Sequence, residues 1–371
     1  MPSSLPMLSL KALNRATLQR QHLIGRSGMP ALDMVQHLIG LQAQMPNPPY
    51  VGLWTRLQNF EKEDLTRLIK QKQVVRAALM RSTLHLVSGQ DYLQLRPLIK
   101  TVLERQYLGS HGKQMVGLDP LEVTRAGREL LSQTPLNNQE LGRALQQKWP
   151  DRDAQALGYA VRNFEGLIHV PPAGTWGDHR SPLLVPGEVY LDAELDPKPS
   201  LGNLLLRYLQ AFGPATLKDM TVWSGLTHLK PALTEIQPAL QVYRDEQGKE
   251  LFDLAEVILP DPETPIPPKF LPDFDNILLS HADRSRIMAP DFKARVFTSN
   301  GIIRATVLID GFVQGIWKVQ QNKKRASLQI EMFQTIAAAD QDLLQEEGQK
   351  LLHWMTPDAE KHELIWQVPA F

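Results

Sequence analysis

The chain is 371 residues long, with 43% hydrophobic and 22% charged residues, 40 basic and 40 acidic side chains, and no cysteine. That length exceeds what one compact core usually supports, so two to four domains are expected. The missing cysteines exclude disulfides, thiolate zinc sites and cysteine nucleophiles. No stretch approaches 18 uninterrupted apolar residues, and the N-terminus lacks a signal-type apolar core, so a cytoplasmic protein without a membrane anchor is expected.

Charge is balanced in total and uneven along the chain. Lys11, Arg15, Arg20 and Arg26 precede the first acidic residue, Asp33. Leu65 to Gln90 again lacks a carboxylate while holding Arg67, Lys70, Lys72, Arg76 and Arg81. Basic stretches of this kind make an anion-binding face if they converge, and are solvated helix surfaces if they do not.

In chain order, Ala16 to Leu23 reads as a helix, and a second begins at Met29-Pro30 and runs from Asp33 to Leu41. This second helix meets the proline-rich stop Met45-Pro-Asn-Pro-Pro49, and the tripeptide Gln42-Ala43-Gln44 stands at the junction. A third helix is expected over Glu63 to Gln71. Two alternating apolar runs follow, Val74 to Leu79 and Thr83 to Val87, joined by Met80-Arg81-Ser82. Helices closed by a short hairpin make a winged helix-turn-helix unit.

The pattern repeats. Helices are expected over Leu121–Ser132, Asn137–Lys148 and Ala154–Glu165, with a hairpin of Gly166–Val170 and Ser181–Val185. The hairpin's tip carries Pro171, Pro172, Gly174, Trp176, His179 and Arg180. A third copy comprises Leu201–Phe212, Ala215–Thr227 with a break at Gly225, a helix over His228–Ile236, and strands at Leu240–Tyr243 and Leu251–Leu254. The copies share pattern rather than residues.

The proline-dense stretch Pro260 to Lys269 then separates a C-terminal part. Its strands are expected at Arg295–Phe297, Ile302–Ile309, Phe312–Val319 and Ala326–Met332, with Asp310-Gly311 as a two-residue hairpin turn. A last helix covers Thr335 to Met355. The fold class is therefore α+β and mostly helical. Its domains are 1–115, 116–198 and 199–259, each a winged-helix unit, and 260–371, the linker with a small β-rich unit and its terminal helix.

Few residues suggest proton-transfer or metal chemistry. The ten histidines show no HExxH spacing, so no metal site and no cofactor are expected, and phosphate-binding and dinucleotide glycine motifs are absent. His85 lies between Leu84 and Leu86, where a structural histidine is the simpler reading. His281-Ala-Asp-Arg284 is either a buried ion-pair knot between domains or a DNA-facing cluster. Trp176 and Arg180 either press into a minor groove or cap a loop against a neighbour. Tandem winged helices often build a nucleic-acid groove and also serve as protein-interaction modules. Glutamine neither gives nor takes a proton at neutral pH, so the pair at 42 and 44 suits orienting a water or polar edge.

Taken together the motifs resemble one family. Gly40-Leu-Gln-Ala-Gln-Met-Pro-Asn-Pro-Pro-Tyr-Val-Gly-Leu-Trp-Thr-Arg56 is similar to the catalytic segment of the AlkZ-like (YcaQ-type) winged-helix DNA glycosylases. Arg81-Ser-Thr-Leu-His-Leu-Val87 resembles that family's wing. Ala211-Phe-Gly-Pro-Ala215 with Trp223-Ser-Gly225, and Phe274-Asp-Asn276 through His281-Ala-Asp-Arg284, resemble its later signatures.

The resemblance implies three winged-helix units arranged as a C around a DNA channel, with a barrel-like C-terminal element. It implies a monofunctional glycosylase that removes cationic N-alkylated purines, including bulky or crosslinked N7-alkylguanine, from double-stranded DNA. Gln42 and Gln44 match the double-glutamine form of the catalytic motif, which lacks the carboxylate of the glutamine–aspartate form. Arg81, His85, His281 and Arg284 match positions that line or support the channel. Lys70, Lys72, Trp176 and Arg180 join them on charge and position alone. A monomer associated with the nucleoid is expected; the alternative is a non-catalytic DNA-binding regulator or drug-sequestering factor.

The chemistry fits uncharged residues. A base alkylated at N7 or N3 is already cationic and leaves as a neutral molecule, so no acid is needed. What remains is to hold water beneath C1′ of an oxocarbenium-like sugar, worth several powers of ten at most.

Overall fold

The computed structural model describes residues 5–367. The chain enters as strand β1 (Met7–Leu8) and helix α1 (Leu10–Arg20), whose N-cap Ser9 accepts from Ala12 N–H. The next group is α2 (Ala31–His37), β2 (Leu41–Gln42), α3 (Pro48–Arg56), α4 (Lys62–Lys70), β3 (Val74–Ala78), β4 (Leu84–Ser88) and α5 (Gly89–His111). A second comprises α6 (Pro120–Gln133), α7 (Asn138–Gln146), α8 (Ala154–Phe164), β5 (Leu167–His169), β6 (Leu184–Pro186) and α9 (Gly187–Leu191). The third holds α10 (Leu201–Phe212), α11 (Leu217–Ser224), α12 (Lys230–Glu235), β7 (Leu240–Asp245) and β8 (Glu250–Leu254). The remainder is β9 (Lys269–Leu271), α13 (Lys293–Val296), β10 (Thr306–Ile309), β11 (Phe312–Gln321), β12 (Arg325–Met332), α14 (Ala338–Met355) and β13 (Lys361–Gln367). The class is α+β, as expected.

Several helices depart from the sequence reading: α1 starts at Leu10 rather than Ala16, and α2 ends at His37 rather than Leu41, so that Leu41 and Gln42 pair as a strand. The prolines after Gln44 do not only stop a helix; Pro48 and Pro49 occupy the first turn of α3, where a missing N–H costs nothing. The 23-residue α5 carries Pro97 in its interior. Proline at 97 removes the N–H that would reach the Leu93 carbonyl, and Asp196 N–H donates to that carbonyl instead, at 3.0 Å. The expected strand at Arg295–Phe297 is corrected: Lys293–Val296 is one helical turn, and only Phe297 bridges to Ile303. The Asp310-Gly311 turn does join β10 to β11, with both residues at positive φ (46° and 80°).

Three sheets among the described residues tie these groups together. One runs β2-β4-β3-β5-β6, so the first and second hairpins merge through β3 and β5, with Arg76 opposite His169. A second runs β1-β7-β8, placing the N-terminal strand parallel to the third hairpin. The third, β13-β12-β11-β10-β9, recruits Lys269–Leu271 from the end of the proline-rich stretch. Its core is shared with the first group: Tyr50, Leu53 and Trp54 of α3 belong to the same buried cluster as Leu328, Leu344 and Leu351.

A buried ion pair fastens that junction. Arg56 donates from both terminal nitrogens to the two oxygens of Asp275, each at 2.8 Å, and both side chains are fully buried. Arg56 also donates to Gln21 Oε1 and the Gly52 carbonyl. Asp275 caps the short turn that begins at Asn276.

Candidate active site between the second and third groups

The glutamine motif is held from below by backbone constraints. Gly40 precedes it with φ +90°, and a Cβ there would meet Val87 Cγ1 at 2.4 Å and the Leu86 carbonyl at 2.7 Å, so only glycine fits. Asn276 Nδ2 donates to the Gly40 carbonyl at 2.7 Å, and its Oδ1 accepts from Gln42 N–H at 3.4 Å. Strand β2 pairs with β4 so that Gln42 lies opposite His85. Ala43 is buried, and its N–H donates to the Leu84 carbonyl.

Gln42 is 6% exposed, and its Oε1 accepts from Arg81 Nη2 at 2.9 Å. Its Nε2 has no acceptor among the described residues and is not one of the sealed polar atoms that lack partners, so it keeps contact with solvent. Arg81 sits in the left-handed region (φ 55°) at the turn between β3 and β4. It donates to the Trp223 carbonyl at the end of α11 and approaches His85 Nε2 at 3.4 Å. Gly225 is also at positive φ, and a Cβ there would lie 3.4 Å from the Arg81 backbone, so the third group closes directly on the first.

His85 is fixed as one neutral tautomer. Its Nδ1 faces the Thr83 carbonyl at 3.0 Å and must carry the proton, leaving Nε2 as an acceptor. Burial, reinforced by the Arg81 cation, drives its pKa down to about 3. Burial and the nearby Arg284 lower Arg81 to about 10, so it stays a cation at neutral pH.

Gln44 is exposed and opens onto the other side. It lines a cavity of about 370 Å³ with Arg76, Arg162, His169, His179 and Arg180. Arg76 braces the motif from this side, donating to the carbonyls of Ala43 (2.8 Å) and Gln44 (3.1 Å). Asn47 Oδ1 accepts from Gly177 N–H, tying the loop after β5 to the start of α3. The motif thus stands between the second and third groups, with one amide addressed to each.

The other expected residues separate into distinct settings. His281 is buried, with Nε2 donating to the Phe212 carbonyl at 3.0 Å, and burial with Arg286 lowers it to about 3. Arg284 donates to the Leu278 carbonyl and stacks over Phe297 at 4.8 Å. These two support the site through the Asn276–Ser280 segment rather than touching the glutamines. Lys70 faces Glu63 at 3.9 Å on its own helix, and Lys72 reaches the Tyr190 carbonyl and ring. Neither is gathered with the motif, because α4 ends before the strands that carry Arg76 and Arg81 inward. Trp176 takes the packing role: its ring lies edge-on to Tyr50 and Trp354 with the Lys62 ammonium 4.3 Å above it. Arg180 is exposed at the cavity rim and paired with Asp178. Sequence reasoning did not single out Arg76, Arg162, His169 or Asn276. Arg76 lay within the carboxylate-free run; nothing local marked Arg162 or His169.

Five histidines are held neutral by burial: His22, His37, His85, His169 and His281 all have lowered pKa values. Once unfolded, each titrates near its ordinary value of about 6.5. Below that pH the unfolded chain binds protons that the folded chain refuses, so stability rises with pH in this window and falls on acidification. The urea midpoint is therefore expected to drop between about pH 7.5 and pH 5.5. His281→Asn flattens that decline; a midpoint unchanged over this range contradicts the assignment.

The class of protein is a hydrolase that acts on DNA N-glycosyl bonds, which the family match establishes. The sequence model of the AlkZ-like DNA glycosylases matches residues 35–354, and the chain belongs to that family. It is 24% identical over 330 residues to the interstrand DNA cross-link repair glycosylase of Streptomyces sahachiroi, covering 81% of this chain and 85% of that protein. The solved structure of the Streptomyces sahachiroi DNA glycosylase AlkZ shares the fold, with a TM-score of 0.79 at 19% identity, covering 98% of this chain and all of the other. Among the described residues no helix is long and apolar enough to cross a membrane.

Proposed function

We propose that this glycosylase hydrolyses the N-glycosyl bond of cationic N-alkylated purines in double-stranded DNA, N7-alkylguanine first among them. Its three helix-and-hairpin groups serve as winged-helix units around the DNA. The observation that carries this reading is the Gln42 amide, clamped through its oxygen by Arg81 while its nitrogen stays open to solvent. An amide oxygen has two acceptor positions, and Arg81 takes one. The other holds a water beneath C1′, and Gln44 addresses the same sugar from the cavity on its own side of the motif.

The lack of an acid around Gln42 selects the substrate. The polar side chains that meet Gln42 are Arg81, His85 and Asn276, and none is an acid at neutral pH. An undamaged purine, which needs a proton to leave, stays attached. A base made cationic by alkylation departs without one, and an interstrand cross-link, the lesion named for the Streptomyces relative, carries the same charge wherever it runs through an N7-alkylguanine. Bond breaking is therefore expected to vary little with pH between about 6 and 8, since none of these side chains titrates there.

The test is incubation of the protein with duplex DNA carrying one N7-methylguanine, followed by alkaline cleavage at abasic sites. Strand breaks at the methylated position, and none in the unmodified duplex, are expected. Tight binding without breaks would instead leave a non-catalytic DNA-binding protein.

A further inference from the structure

The cavity beside Gln44 contains two arginines for which the protein provides no acid. Among the described residues neither Arg76 nor Arg162 forms an ion pair, and the cavity's own carboxylate, Asp178, is occupied by Arg180 through its side chain and backbone N–H. Arg162 lies over the Tyr159 ring at 5.6 Å, a neighbour that carries no neutralising charge. Arg76 uses one N–H on each nitrogen for Ala43, Gln44 and His169, leaving two free of its five.

His169 adds a directed donor. Arg76 Nη1 lies 3.1 Å from its Nδ1, which must therefore accept, so Nε2 bears the proton. No acceptor for that N–H exists among the described residues, and the atom is not one of the sealed polar groups without partners. Both arginines lose affinity for their protons through burial, with Arg162 adding to the effect at Arg76. Two partly buried like charges facing a shared cavity are held apart from any counter-ion at a cost, which an entering anion removes.

We propose that Arg76, Arg162 and His169 form a seat for one backbone phosphodiester of the damaged strand, next to the sugar that Gln44 addresses. Charge decides the occupant. A cationic alkylpurine is repelled by this lining, whereas a phosphate oxygen accepts from two guanidinium groups and an imidazole N–H. Because Gln44 lines the same cavity, the seated phosphate belongs to the nucleotide under attack or its immediate neighbour. The phosphate also cancels positive charge that would otherwise oppose an oxocarbenium-like sugar, so the DNA supplies an anion that the double-glutamine motif lacks. The placement beside the sugar rests on the glycosylase reading above; the phosphate seat itself does not.

The experiment compares wild type, Arg162→Gln and Arg162→Lys on N7-methylguanine duplexes in which single phosphates around the lesion are replaced by uncharged methylphosphonates. Wild type is expected to lose about tenfold in affinity at one position beside the lesion. Arg162→Gln should show a clearly smaller loss at that position and a salt dependence of log K shallower by up to about 0.9, while Arg162→Lys keeps most of both. A second arm replaces chloride by inorganic phosphate at equal ionic strength. Weakened DNA binding in wild type with no singled-out methylphosphonate position marks a free-anion site and overturns the proposal. A uniform loss at every position in Arg162→Gln, as from damaged folding, overturns it too unless Arg162→Lys restores the single-position pattern. Should no lesion be cleaved by wild type, the catalytic reading falls while the methylphosphonate scan on binding still decides this one.

Discussion

Gln42→Ala is expected to lower the single-turnover rate of N7-methylguanine release by about a hundredfold or more, with DNA affinity little changed. The side chain is almost enclosed, is clamped at one end by Arg81, and meets solvent only through its amide. On the proposed mechanism its removal deprives the water of a fixed partner, while Arg76, Arg81 and Arg162 remain in place. Arg81→Met should give an intermediate loss, because the amide survives without the donor that sets its orientation. Gln44→Ala should cost less than Gln42→Ala, since Gln44 is exposed and no group among the described residues orients its side chain. A Gln42→Ala rate within roughly threefold of wild type would falsify the water-holding role.

The largest stability effect belongs to the buried pair of Arg56 and Asp275. Asp275→Ala strands a guanidinium at zero exposure and is expected to destabilise the protein by about 3–5 kcal/mol, read from the urea midpoint. Replacing both partners, Arg56→Met with Asp275→Leu, should recover much of that loss, because two matched apolar side chains leave no buried charge. The effect reaches the site as well. Asp275 caps the turn whose next residue, Asn276, fixes Gly40 and Gln42. The single variant should therefore lose activity before it unfolds, whereas equal activity at temperatures where it remains folded would uncouple the two.

Local pattern made much of the fold legible. The helices α4, α6, α7, α8 and α10 lie within a few residues of their expected places, since each has an amphipathic period and a capping residue at its start. What stayed hidden depended on distant partners. Pro97 reads as a break unless one knows that Asp196 satisfies Leu93, and Pro48-Pro49 reads as a stop unless α3 has something to pack against.

The site divides in the same way. The motif and the Arg81–His85 wing could be found from adjacent residues. Arg162 and His169 lie more than 80 positions away from Arg76 and reach it only because β5 pairs with β3. No periodicity within either segment records that pairing. The run from Arg67 to Arg81 likewise looked uniform, yet strand geometry turns Arg76 and Arg81 toward the motif and leaves Arg67 and Lys70 with acids on their own helix.

The merging of two hairpins into one sheet has a mechanical consequence. The first two groups share one continuous sheet, β1 binds the N-terminal segment to the third hairpin, and α1 anchors it to the Asp310-Gly311 turn. Such a frame does not close on its ligand like a jaw. Under the proposed function the duplex is expected to conform to it, so the work of distortion falls on the nucleic acid, and a lesion that already softens the helix lowers its own threshold for capture.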